Sequence, residues 1–526
     1  MKTAPRTLDA RITALSDNRA HVVLANNLTG LEKEGLRVST SGTVAQTPHP
    51  VAFGSALTHP YITTDFSEGL LEFVTPPSTR NTASLDCLKD LHVFAFEHLG
   101  PELIWATSMP CVLEGASRIP LAQYGTSNAA RMKTAYRRGL GNRYGRTMQV
   151  IAGIHYNFSF APGFWELYRE VIGDRGDDVQ FRSDAYMGMI RNLQRFGWLI
   201  PYLFGASPAV CKSFLQGNTT DLDSFDESTY YLPFATSLRM GDIGYQNAQE
   251  QGIGMKASYD SLDSYIRSLT WAIETPCPQY ERIGIKAGGR YEQLNANVLQ
   301  IENEYYSTVR PKQPPDWLEK PTLSLRRAGI RYVELRSLDV NAFHPLGITE
   351  EHLAFLEVMM VYCLLRDSPR INSAERGAID RNQLLTAKQG RDPHLALDRG
   401  GNGILLKDWA NELLEQMAPV AEIFDGTAGG QRTRAVDRQI AKVGDADATP
   451  SARMLAQMRA NGEGFHDFAR RLSEQHRDWF RGMTLPDARR RGLEQMAEQS
   501  HRRQAQIEAA DDCGFDEFLE RYFAQR

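Results

Sequence analysis

The sequence predicts an α+β protein built on an antiparallel or mixed sheet, and three observations carry that expectation. Residues 1–345 mix strand-like and helix-like stretches, whereas the remainder reads almost wholly helical. The strand-like stretches are separated by long insertions, without the regular βα alternation that an all-parallel sheet requires. No repeat of fixed period and no long low-complexity segment points to a solenoid or a linker.

In chain order, the predicted strands are Gly30–Val38, Tyr61–Thr75, Met148–Phe160, Tyr291–Val309 and Ile330–Asp339. Between them, residues 82–99 place Leu88, Leu91, Ala95 and Leu99 at helical spacing. After His344 and Pro345, Thr349 can cap a helix running through Leu365, with Glu350 and Glu351 in its first turn. Residues 420–450 are rich in helix breakers and read as a connection between helical blocks. From Ser451 onward the chain is amphipathic helix, ending with Phe515, Phe518, Leu519 and Phe523 on one apolar stripe. The expected organisation is a sheet-bearing core over residues 1–345, with a helical extension over 346–526 packed on it as one unit.

Composition excludes several classes. The 526 residues (59.1 kDa) are 42% hydrophobic and 23% charged, with a mean hydropathy of −0.41, which is ordinary for a soluble globular chain. A net charge of −5 supplies no field for a nucleic-acid backbone, and the basic cluster at Arg489, Arg490 and Arg491 has acidic neighbours. The N-terminal residues contain no signal-like apolar stretch, and the longest apolar run, Val358–Leu365, is too short to cross a bilayer. Cysteines 87, 111, 211, 277, 363 and 513 are scattered without C-x-x-C spacing, so reduced thiols in a cytoplasmic protein are expected. No obligate protein partner is evident.

The chemistry lies in acidic residues placed inside strands. Glu32 and Glu34 are two apart, so a strand puts both carboxylates on one face, continued by Leu36 and Val38. An E-x-E of this kind is also a common surface feature. Glu72 sits in the apolar run Leu70–Val74, where an unpaired charge is costly. Asp65 differs from Glu72 in parity, so both reach one site only if Ser67–Gly69 turns or bulges; two separate ion pairs are the alternative. His155, Asn157 and Ser159 alternate with Tyr156, Phe158 and Phe160, leaving His155 open as a ligand or as a hydrogen-bonded sheet histidine. Glu334 and Arg336 share a face, either as an adjacent ion pair or as a metal ligand beside an anion-gripping cation. Glu302, Glu304 and Tyr306 repeat the device on a predicted strand. Five or six carboxylates on one face repel one another unless divalent cations neutralise them, and oxygen-dominated ligation points to magnesium or manganese. No G-x-x-x-x-G-K-[ST] and no kinase-like H-R-D set occurs, which leaves an ATP site built on the sheet itself.

Six segments, in order, resemble bacterial glutamate–cysteine ligase of the gamma-proteobacterial type. They are Leu31-Glu-Lys-Glu-Gly-Leu-Arg-Val, Ile62-Thr-Thr-Asp-Phe-Ser-Glu-Gly-Leu-Leu-Glu-Phe-Val-Thr-Pro, Ile154-His-Tyr-Asn-Phe-Ser, Ser237-Leu-Arg-Met-Gly-Asp-Ile-Gly-Tyr, Ile301-Glu-Asn-Glu-Tyr-Tyr and Tyr332-Val-Glu-Leu-Arg-Ser-Leu-Asp. The resemblance covers most of residues 25–345; small-residue variants such as Ser67 and Gly241 touch no charged position. It implies a curved, largely antiparallel sheet of the glutamine-synthetase-like carboxylate–amine ligase type. It further implies that Glu32, Glu34, Asp65, Glu72, His155 and Glu334 hold magnesium ions. Arg239 and Arg336 would contact glutamate or the phosphoryl group, and Tyr136, Tyr245 and Tyr306 would line a cysteine pocket.

The implied reaction joins the γ-carboxylate of L-glutamate to the amine of L-cysteine through γ-glutamyl phosphate, the first step of glutathione biosynthesis. A carboxylate is a poor acyl donor, and phosphorylation by ATP gives it a leaving group. Arg336 would stabilise charge on the transferring phosphoryl, and Arg239 would clamp a carboxylate. Three other readings stay open on the residues alone. They are a related carboxylate–amine ligase with another amine, a divalent-cation-dependent phosphohydrolase, and a non-enzymatic acidic binding protein, the last leaving both arginines unexplained.

Overall fold

A computed structural model of the protein describes residues 7–110, 112–244, 255–426 and 429–526. Its centre is a seven-stranded sheet formed by β1 (Leu28–Val38), β2 (Ile62–Thr64), β3 (Leu70–Val74), β4 (Leu103–Ile104), β5 (Ile154–Ser159), β6 (Val309–Lys312) and β7 (Tyr332–Leu338). The strand order is β6-β7-β5-β1-β3-β2, with β4 against the end of β1, and every pairing is antiparallel. The α+β expectation therefore holds.

β1 is the axis of the fold because it pairs with three other strands and is buried along nearly its whole length. One face carries Leu31 on β1, Leu71 and Phe73 on β3, Tyr156 and Phe158 on β5, and Val333 and Leu335 on β7, each at most 1% exposed. Helices Asn81–His98 and Glu350–Leu365 close that face. The second of these is buried on every side, and Thr349 caps it by accepting from the His352 amide, as expected. Burying so continuous an apolar layer is the main stabilising term of the fold. Where β4 crosses β1 only a glycine fits, since a Cβ on Gly35 would stand 2.7 Å from Ile104.

The predicted strand Tyr61–Thr75 is two strands joined by a turn, in which Leu70 donates to the Ser67 carbonyl at 2.9 Å. β5 starts only at Ile154, because Met148–Val150 forms a 3₁₀ turn. Tyr291–Val309 is not a strand: Glu302–Glu304 is a 3₁₀ turn and the sheet strand begins at Val309. The polar side chains of that stretch bond local backbone, as when Asn295 donates to the Gln300 carbonyl at 2.9 Å, and this competes with a ladder.

The breaker-rich segment 420–450 contains a helix, Gln431–Gly444. Its glycines and aspartates mark helix ends: Gly426 closes one helix with φ +67°, and Asp425 accepts from the Thr433 amide at 2.9 Å to start the next. From Pro450 the chain is helical as read, and within 346–526 the hairpin Ala396–Arg399/Asn402–Leu405 is the exception among the described residues. Cys211 is disulfide-bonded, against the expectation of reduced thiols throughout, whereas Cys87, Cys277, Cys363 and Cys513 are free. No helix of the described residues is long and apolar enough to cross a membrane.

Candidate active site

Register on the second face of the sheet assembles the acidic residues. Glu34 lies opposite Glu72 on β3, Glu32 opposite His155 on β5, and Asn157 opposite Glu334 on β7. Because the side-chain period of a strand is two, Glu32 and Glu34 project to one side and their cross-strand partners project with them. His155 is wedged among three carboxylates: Nδ1 lies 3.0 Å from Glu32 and 3.9 Å from Glu334, and Nε2 lies 3.7 Å from Glu34. Ligating atoms of Glu32, Glu72 and His155 lie within 4.8 Å of one another. The turn at Ser67–Gly69 brings Asp65 to the same region, where it raises the charge cost of both Glu34 and Glu72. The condition on which Asp65 could join the site is thus met.

Electrostatics divides the carboxylates. Burial pushes Glu72 well above the usual carboxylate range, and the charges of Glu32, Asp65 and Glu34 push it further. Burial also raises Glu34, although its Oε2 accepts from the Gly153 amide at 2.6 Å. Burial works against Glu32 most strongly, but the hydrogen bond to His155, the His155 charge and Lys312 together outweigh it and hold the carboxyl low. Asn157 supports Glu32 by donating to Oε1 at 2.8 Å. For Glu334, burial is overcome by Lys312 at 3.2 Å and Arg336 at 3.2 Å, with His155 and Arg310 adding to them, so it stays well below the ordinary range. One end of the face is therefore neutralised by the protein, and the other is left with excess negative charge.

Arg239 sits on a 3₁₀ turn, Leu238–Met240, and donates through Nη2 to the Arg336 carbonyl at 2.8 Å. Gly153 makes room for it: a Cβ there would collide with the guanidinium. The Tyr306 hydroxyl lies 3.7 Å from the Met240 sulfur and is raised by burial, with Arg239 and Arg336 opposing. Tyr136 projects from helix Asn128–Tyr144 and is raised by burial and by Glu304. Tyr245 lies outside the described residues. Glu302 and Glu304 leave the face altogether. Glu304 pairs with Arg143 at 2.9 Å, and Glu302 accepts from the Thr322 hydroxyl at 2.7 Å.

Four residues of this region escaped the sequence reading. Lys312 and Arg310 were hidden because their strand starts where another was expected to end. Arg137 donates through Nε to the Asp65 carbonyl and stands 3.7 Å from its carboxylate, fixing that loop. Lys133, one turn earlier on the same helix, is pushed down to about 8 by burial and by Arg137. Cations spaced by four on a helix facing an acidic strand would have been the signal for the last two. The donor set fits a hard divalent cation, being carboxylate oxygens with one imidazole, and like-charge repulsion at Glu72 and Glu34 is what such a cation relieves.

Comparison with known proteins agrees with this architecture. The family described as glutamate-cysteine ligase matches residues 12–386. A glutamate–cysteine ligase of Alcanivorax borkumensis is 48% identical over 98% of this chain and 99% of its own length. One of Pseudomonas paraeruginosa is 46% identical over 98% of each. The crystal structure of glutamate–cysteine ligase from Francisella tularensis in complex with AMP is 37% identical, covers 95% of this chain and 97% of its own, and superposes with a TM-score of 0.89. Fold and site together define an enzyme of the carboxylate–amine ligase class. Within that class, the chain belongs to the glutamate–cysteine ligase family.

Proposed function

We propose that the chain joins the γ-carboxylate of L-glutamate to the amine of L-cysteine with ATP, giving γ-glutamylcysteine, ADP and phosphate in the cytoplasm. The observation that carries the proposal is the buried acidic face, unbalanced at Glu72 and Glu34 and flanked by Arg239 and Arg336, in a chain of this family. Glu32, Glu34, Asp65, Glu72, His155 and Glu334 are the candidate ligands of magnesium, with manganese as a substitute. The metal would offset charge between phosphate oxygens and the glutamate carboxylate.

Chemistry assigns the remaining groups. A γ-carboxylate oxygen attacks the terminal phosphorus of ATP, and the bond to ADP breaks. Arg336 stabilises charge on the transferring phosphoryl, and Arg239 holds a substrate carboxylate. The cysteine nitrogen then attacks the acyl carbon, phosphate leaves and the amine gives up a proton. Tyr136 and Tyr306 line the amine pocket in this reading, together with Tyr245. No nucleic acid, membrane or second protein is required, and residues 346–526 act with the sheet as one catalytic unit.

The test is ADP release with ATP and magnesium, adding glutamate and cysteine singly and together, with product mass read in the same samples. Turnover that needs both amino acids and yields γ-glutamylcysteine supports the proposal. Release without either amino acid would instead identify a phosphohydrolase, and an equal rate with another amine would overturn the cysteine assignment.

A further inference from the structure

Asp339 lies just beyond β7, after a register shift between Leu335 and Leu338. Its side chain is 1% exposed, which is rare for a carboxylate without a strong set of donors. Its Oδ2 accepts from the Ala206 amide at 2.8 Å and the Ser207 hydroxyl at 2.6 Å. Its Oδ1 accepts from the Ser237 hydroxyl at 2.9 Å and stands 3.7 Å from Arg239 Nη1. Ser237 caps the turn Leu238–Met240 that carries Arg239, and the Arg239 amide faces the Ser207 hydroxyl at 3.4 Å. A single buried carboxylate therefore fixes both the backbone of that turn and its charged end.

We infer that Asp339 is a positioning residue that sets the Arg239 guanidinium against Arg336, an inference that rests on the substrate-carboxylate role given to Arg239 above. Arg239 is tied to the β7 end twice, to the Arg336 carbonyl and to the Asp339 carboxylate, with Gly153 beneath it. The Arg239 guanidinium is thus fixed relative to the strand backbone that carries Arg336. The 3.7 Å gap is wider than a charge-assisted hydrogen bond, so Asp339 orients Arg239 without saturating it and leaves donors for a ligand. Asp339 is no part of the acidic face: it is absent from the metal-compatible group, and donors already surround both of its oxygens.

Asp339→Asn keeps the shape and removes the charge. We expect the KM for glutamate to rise about tenfold or more while the KM for ATP changes less than about twofold. Manganese affinity, read by electron paramagnetic resonance, should move equally little. Ser207→Ala removes a donor but leaves the charge, and should lower the melting temperature with little change in the glutamate KM. An unchanged glutamate KM in Asp339→Asn, or a parallel rise for ATP, overturns the inference. If that variant does not fold, Asp339→Glu displaces the charge by one methylene and must give the same split. Arg239→Ala separates the two levels. If it leaves the glutamate KM unchanged, the role given to Arg239 is wrong; if it raises that KM while Asp339→Asn does not, only the inference about Asp339 fails.

Discussion

The two faces of β1 both bury charge, and they do so in opposite ways. On the odd-numbered side, Arg37 is almost fully enclosed and spends its donors locally. It pairs with Glu102 at 2.9 Å and donates to the Thr47 hydroxyl at 2.8 Å, the Thr47 carbonyl at 2.9 Å and the Glu68 carbonyl at 3.0 Å. On the even-numbered side, Glu34 faces Glu72 across the ladder and both are driven upward, in part by each other's neighbours. A buried charge met by complementary partners is scaffold; one met by its own sign is a vacancy in the electrostatics that a ligand must fill.

Breaking the even-numbered side should have the largest effect. Glu72→Ala removes a candidate metal ligand and the carboxylate on which the repulsion of Glu32, Asp65 and Glu34 falls. We expect turnover to fall about a thousandfold or more, while the melting temperature in EDTA stays level or rises. Surviving activity would remove Glu72 from the ligand set. The contrasting variant is Arg37→Met, which strands Glu102 in the interior. It should cost about 3–5 kcal/mol of stability, read by denaturant titration, with turnover per folded molecule retained. A loss of turnover without loss of stability would show that the odd-numbered side is more than scaffold.

How much of this was legible follows from where the signal resided. Glu32, Glu34, His155 and Glu334 could be read because strand periodicity leaves a mark in the sequence, and the register then aligned them. Asp65 was readable only conditionally, since a turn at Ser67–Gly69 is a local event whose geometry parity alone does not fix. Glu302 and Glu304 misled because an alternating acidic pattern also suits a 3₁₀ turn whose carboxylates find Arg143 and Thr322. The Gly153 amide on Glu34 and the Arg336 carbonyl on Arg239 were invisible in principle, because backbone groups carry no residue identity. The bonded state of Cys211 likewise has no spacing signature.

A smaller effect sharpens the comparison through pH. Glu72 and Glu34 have raised values in the folded protein, so over the range between the unfolded and folded values the native state binds more protons than the unfolded one. Stability of the metal-free protein therefore falls as pH rises through that range. Glu334 acts with the opposite sign: its low value contributes stability above the unfolded value that is lost as pH falls through the folded one. A divalent cation competes with the proton at Glu72, so the rise in melting temperature on adding magnesium should be greater at pH 8 than at pH 5.5. An equal rise at both would place the bound cation away from Glu72.

Lys33 marks the limit of the contrast, because it lies on the odd-numbered side without an acidic partner among the described residues. Its ammonium donates to His92 Nε2 at 2.7 Å, and His92 Nδ1 donates to the Leu88 carbonyl at 2.8 Å, which requires the neutral ring. Burial and the Lys33 charge hold His92 far below its ordinary value, and burial, Lys33 and His344 take His476 down to about 3. Burial itself brings Lys33 down to about 7. The folded protein thus binds fewer protons than the unfolded chain between about 7 and the ordinary lysine value, and stability rises with pH across that interval. Lys33→Met relieves the buried charge but leaves His92 Nε2 without a donor, at a cost of about 1 kcal/mol. The net change should favour the variant by about 1–4 kcal/mol at pH 6, shrinking as pH rises and vanishing or reversing by pH 10. A large loss at pH 6, or a fall in turnover, would instead mean that this ammonium acts through the sheet on the carboxylates of the other face.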